Sequence, residues 1–205
     1  MQPAILTGFG KWIDFDDTDV REIDIDDIYS ALSRIRRYTG HSLFSVADHS
    51  CLVADLVEEA RPGDHRAIIR ALLHDAHEAY TGDISSPMKE ALGREAKERI
   101  AEIQLRLDEA IFRSLGIEDS MKLSADRMRI VKICDDFATR IERNYFLPNS
   151  PRWPKMYIPL SQKIAINMHE AKMMLGSYPG KSWRVRLQEA LVAIAASLEK
   201  KPDAA

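Results

Sequence analysis

The run Asp64–Asp83, DHRAIIRALLHDAHEAYTGD, has the spacing of a helix but sets polar residues on the side that should be apolar. Pro62-Gly63-Asp64 makes a turn whose aspartate can cap this helix, and the pattern predicts helix to about Tyr80. His74 is in line with Ala67 and Ala71, and Asp75 with Ile68 and Leu72. Both therefore point inward or along the seam with a neighbouring helix, which the alanines allow to approach closely. Glu78 lies one turn beyond, at i+4 from His74 and i+3 from Asp75, so all three can share a face.

On the N-terminal side, Ser45 and Asp48 resemble a capping box, with Asp in place of the usual Glu, and open a helix to about Ala60. His49 falls on its apolar stripe, one turn before Leu52, Val53 and Leu56. Asp26–Tyr38 reads as a first helix with Ile28, Leu32 and Ile35 on one face. Residues 1–24, with Gly8, Gly10 and the acidic run Asp14-Phe15-Asp16-Asp17, read as an irregular lead-in to one domain over 25–205. On the C-terminal side, a loop with Thr81-Gly82-Asp83 and Ser85-Ser86-Pro87 leads to helical stretches at Met88–Leu115 and Ser124–Phe146. A proline-rich loop, Pro148–Pro159, then precedes helices at Ser161–Leu175 and Ser182–Lys200. Leu187, Leu191, Ile194 and Leu198 form a stripe on the last of these. No segment alternates in the manner of a strand and no repeat is visible, so the fold class expected is all-α, in a single domain.

Two adjacent aspartates separate by helical geometry. Asp135 lines up with Met128, Val131 and Ala138, whereas Asp136 lines up with Arg129, Lys132, Arg140 and Arg143. That basic face reads as solvated and balanced by Asp126, Asp136 and Glu142. Burying a carboxylate or imidazole without a partner costs on the order of several kcal/mol, comparable with the net stability of a domain. A lone inward histidine is more often a satisfied core residue. Two histidines and two aspartates placed inward on three helices are most cheaply explained by a shared cation. Mixed imidazole and carboxylate donors suit Mn, Fe, Co, Ni or Zn.

Length and charge bound the alternatives. At 205 residues the chain is long enough for a core that holds a pre-organised site. Lys and Arg number 29 against 32 Asp and Glu, a net charge of −3. That balance argues against gripping a nucleic acid polymer or an anionic membrane through bulk charge, though not against a pocket for one nucleotide. Two cysteines, Cys51 and Cys134, are too few for a disulfide scaffold and read as small core fillers. With no apolar run near membrane length and no visible secretion signal, the expected location is the cytoplasm.

The order His49, His74-Asp75, Asp135 resembles that of the HD-domain metal-dependent phosphohydrolases. The stretch from His74 through Glu78 to Thr81-Gly82-Asp83, with Pro87 and Lys89 beyond it, is most similar to the bacterial 5'-deoxynucleotidase branch. The resemblance covers about residues 25–146 and leaves the last ~55 residues without a readable motif. It implies an all-helical fold, one divalent metal held by His49, His74, Asp75 and Asp135, and commonly a homodimer. It further implies that Glu78 orients or deprotonates the attacking water and that Asp83 protonates the leaving 5'-oxygen. Arg37 would be the first cationic contact for the substrate phosphate, and Lys89 a second. The branch's Arg-aromatic pair fits Arg37-Tyr38 if a short gap is allowed and Arg34-Ile35 if it is not, and Ser85 replaces the branch's capping-loop proline. His41, after Thr39-Gly40, meets the phosphate or is simply exposed.

The expected activity is hydrolysis of nucleoside 5'-monophosphates to nucleoside and phosphate. The alternatives are release of triphosphate from deoxynucleoside triphosphates, or a binding module without turnover. The intact Glu78 and Asp83 speak against the last of these. His77 reads as facing away from Asp75, either supporting the site from behind or on the surface, and His65 and His169 as surface residues. Trp153 and Tyr157 either stack on a nucleobase or, more commonly for such loops, pack on the domain or a subunit partner.

Overall fold

The computed structural model describes residues 3–118, 124–148 and 182–199. In chain order its elements are β1 (Ala4–Leu6), β2 (Trp12–Asp14), α1 (Ile25–Leu32), α2 (Val46–Ala60), α3 (His65–Leu73), α4 (Glu78–Thr81), α5 (Ser86–Ala91), α6 (Arg94–Ser114), α7 (Ala125–Phe146) and α8 (Trp183–Glu199). Short 3-10 turns lie at Val20–Glu22 and Tyr38–Gly40. Among the described residues the fold is all-α apart from one small antiparallel hairpin, in which Ile5 faces Ile13. The expected helix Ser161–Leu175, His169, Trp153, Tyr157 and the side chain of Leu198 lie outside the described residues.

The chain divides into two compact units, Met1–Val46 with His74–Lys122, and Ala47–Leu73 with Leu123–Ala205. In the first unit the stretch expected to be irregular contains the hairpin, with Ile13 fully buried. Arg106 of α6 ties this region down by donating to the carbonyls of Phe15 and Asp16 at 2.8 and 2.9 Å. Asp24 caps α1 by accepting from the Asp26 amide at 2.8 Å, and Ile28 and Leu32 are buried. The first helix ends at Leu32, earlier than expected, because the chain turns to pair with itself. The Val46 amide donates to the Ile35 carbonyl and the Arg37 amide to that of Phe44. The stretch Met88–Leu115 is two helices, divided at Gly93, whose φ of 86° lies in the left-handed region that glycine adopts without a Cβ penalty.

In the second unit α3 packs against both α7 and α8. Asp64 begins α3, accepting from the Ala67 amide at 3.4 Å while Arg127 of α7 holds its carboxylate at 2.8 and 3.0 Å. Trp183, the first residue of α8, donates its indole N–H to the Leu72 carbonyl at 2.6 Å. Arg186 donates to the Cys51 carbonyl at 2.9 Å and pairs with Asp55. Trp183, Leu187 and Ala190 form the buried face of α8, while Leu191 and Ile194 are only half-buried.

The helix expected over Asp64–Tyr80 stops at Leu73. One reason lies at the Leu72 carbonyl, which is engaged by the Trp183 indole. Beyond it the amides of Glu78, Ala79 and Tyr80 bond three residues back, to Asp75, Ala76 and His77, in a tightened turn. Regular winding resumes in α4 and ends at Gly82, whose φ is 72°.

Candidate metal centre

In the second unit, His49 of α2 is fully buried. Its Nδ1 donates to Glu142 Oε1 of α7 at 2.6 Å, and Glu142 is also fully buried. Its Nε2 lies 3.2 Å from Asp135 Oδ1. A neutral ring with its proton on Nδ1 toward Glu142 has its lone pair on Nε2, the form in which an imidazole binds a cation. Asp135 is held from its other side by Lys132, whose Nζ lies 2.9 Å from Asp135 Oδ2 and 2.8 Å from Asp136 Oδ1. Burial alone would lower the Lys132 pKa, but the two carboxylates outweigh it and the ammonium is stabilised.

Asp135 is the more covered of the two aspartates but is not buried: the side chains of Asp135 and Asp136 are 20% and 41% exposed. Glu142 departs from expectation. It is not part of a solvated face but the buried partner of His49, and Asp126 pairs with Arg61. Glu142 is legible in hindsight, lying two turns from Asp135 on the same stripe.

In the first unit, His74 and Asp75 lie in the turn after α3, with His74 Nε2 3.2 Å from Asp75 Oδ2. Arg37 Nη1 stands 3.9 Å from the same oxygen, and its side chain is 12% exposed. Tyr38, with φ of 58°, turns the chain there and places its ring 5.8 Å from the Arg37 guanidinium carbon. A left-handed tyrosine followed by a left-handed Thr39, φ 57°, is a strained arrangement that the neighbouring backbone bonds must hold. Glu78 opens α4 and is buried, Asp83 is half-buried in the following loop, and His41 is exposed. Lys89 is half-buried on α5 without an ion pair among the described residues.

His77 does not face away from Asp75. It is buried, pairs through Nδ1 with Asp108 Oδ1 of α6 at 3.0 Å, and offers a ligand atom within 4.8 Å of those of Asp75 and Glu78. The tightened turn accounts for this, because a regular helix would have set residue 77 on another side. His65 is half-buried at the start of α3. Burial raises the thiols of Cys51 and Cys134 to about 12, so neither supplies thiolate near neutral pH.

The donors present are imidazole and carboxylate, in part buried, and such groups could hold a metal ion. No helix among the described residues is long and apolar enough to cross a membrane. The class defined by fold and site is thus a helical protein with His/Asp groups suited to a cation. No family model matches the chain. It is 35% identical over 138 residues to the uncharacterized protein RCAP_rcc00048 of Rhodobacter capsulatus, covering 65% of this chain and 67% of that one. The chain belongs to the same family as that protein. It is also 39% identical over 90 residues to the uncharacterized protein YfdR of Escherichia coli, covering 43% of this chain and about half, 47%, of YfdR.

Proposed function

We propose that this protein is a metal-dependent phosphohydrolase of the HD type, and that it hydrolyses nucleoside 5'-monophosphates to nucleoside and phosphate. The observation that carries the reading is His49, a fully buried imidazole whose Nδ1 is fixed by a fully buried carboxylate while Nε2 faces Asp135. An orienting carboxylate on one nitrogen, with other donors beside the second, is the arrangement of a metal-binding histidine.

The ligands would be His49, His74, Asp75 and Asp135, with one of Mn, Fe, Co, Ni or Zn. When bound, such an ion polarises a phosphate oxygen and makes hydroxide available from water near neutral pH. Arg37 brings a guanidinium to the phosphate, where its planar fork matches the oxygens. Glu78 accepts the proton of the attacking water as the new P–O bond forms. Asp83 would deliver a proton to the 5'-oxygen as the bond from phosphorus to that oxygen breaks. Tyr38 lies beside Arg37, where a sugar attached to that phosphate would pass.

The test is an assay of metal-stripped protein reloaded in turn with Mn, Co, Ni, Zn and Mg. Each form is offered nucleoside mono- and triphosphates, ribo and deoxy, with phosphate and triphosphate resolved separately. Phosphate from monophosphates, lowered on the order of 100-fold or more in Glu78→Gln with metal content unchanged, supports the reading. Triphosphate as product moves the substrate to deoxynucleoside triphosphates. No turnover with any metal overturns the enzymatic reading and leaves a binding module.

A further inference from the structure

Asp75, His77 and Glu78 each offer one ligand atom, and the three atoms lie within 4.8 Å of one another. His77 and Glu78 are 9% and 6% exposed, so this is not an ordinary solvated acidic cluster. Behind His77 stands Asp108, itself buried on the face of α6 that also buries Leu107 and Ile111. Its Oδ1 accepts a hydrogen bond from His77 Nδ1 at 3.0 Å, and in a neutral ring so oriented the lone pair is on Nε2. A carboxylate on one imidazole nitrogen is the arrangement that orients a metal-binding histidine, leaving the other nitrogen for the ion. Asp75, Glu78 and Asp108 bring carboxylates close to His77 in part-buried surroundings, with Arg37 Nη1 3.9 Å and His74 Nε2 3.2 Å from the Asp75 carboxylate.

We infer that Asp75, His77 and Glu78 form a cation site of their own, with Asp108 orienting His77. One nitrogen and two oxygens suit Mn or a neighbouring divalent ion, and three protein donors leave positions for water. Fewer donors make it the weaker of two sites. Asp75 belongs to both donor sets, and that sharing rests on the function proposed above; the site of Asp75, His77 and Glu78 does not. If Glu78 accepts the proton of the attacking water, an ion on its carboxylate removes that capacity. Metal beyond the first equivalent then slows turnover.

The experiment titrates the stripped full-length chain with Mn(II), counting bound ions from the loss of the free-ion electron paramagnetic resonance signal. Wild type is expected to take up two ions per chain, the second more weakly. His77→Gln and Asp108→Asn should weaken the second uptake about 10- to 100-fold and spare the first. Asp135→Ala should remove the first and spare the second. One ion per chain, lost in Asp135→Ala and kept in His77→Gln, overturns this inference alone. One ion lost in His77→Gln and kept in Asp135→Ala supports it and overturns the metal set proposed above. No uptake overturns both. Should His77→Gln fail to fold by circular dichroism, the wild-type count and Asp108→Asn decide.

Discussion

Asp135 and Asp136 share one lysine and differ in everything else. Lys132 bonds both, but only Asp135 also meets an imidazole, that of His49 at 3.2 Å. Asp135→Ala is therefore expected to lower metal affinity by more than about 100-fold, beyond what losing an orienting residue costs. Asp136→Ala should leave it unchanged, and equilibrium dialysis against a metal-buffered solution compares the two. Glu142 acts one step further back. Glutamine there still accepts from His49 Nδ1 but loses the charge that raises the basicity of Nε2. Glu142→Gln should thus weaken metal binding by roughly 10- to 100-fold without unfolding the chain, read by the same dialysis beside a circular dichroism spectrum. Alanine would instead strand a buried N–H at a cost of about 1–3 kcal/mol, so the conservative change is the informative one.

At the scale of elements, α8 acts on the helix that precedes the His-Asp turn. Its first residue, Trp183, is 1% exposed and bonds the Leu72 carbonyl next to the last residue of α3. Trp183→Phe keeps most of the buried ring and loses the hydrogen bond, so about 1 kcal/mol of stability should go. Trp183→Ala should cost about 3–5 kcal/mol through the cavity it leaves. Urea midpoints at constant slope measure both. The same contact explains a limit of sequence reading. The periodicity over Ala67–Leu73 predicts α3 correctly, since it depends only on which face is apolar. At the end of α3 one carbonyl is held by an indole 111 residues away, and no local pattern carries that. The hairpin at Ala4–Asp14 escaped for a related reason: three-residue strands are too short for alternation to stand out.

Across the whole molecule, the candidate donors legible from sequence were those that interrupt an apolar helix stripe: His49, His74, Asp75 and Asp135. The carboxylates that orient them or their neighbours read otherwise: Glu142 shares the Asp135 stripe but reads as one more member of a charged face, and Asp108 reads as one more acid on a long amphipathic helix. Their partners lie 93 and 31 residues away, and only folding reveals that each carboxylate has an imidazole to satisfy. This dependence runs in both directions. If the donors form only in the folded chain, a cation that binds them stabilises folding by mass action. At a free metal concentration about 100 times the Kd, that amounts to about 2.7 kcal/mol. For a chain of 205 residues each kcal/mol moves Tm by about 2–4 °C, so loading should raise Tm by roughly 5–11 °C. The ligands must be deprotonated to bind, so the rise should shrink as pH falls. Scanning calorimetry of stripped and Mn-loaded protein checks this. A rise that survives in Asp135→Ala would mean that the metal stabilises the chain through some other group, and the four-residue set would have to be abandoned.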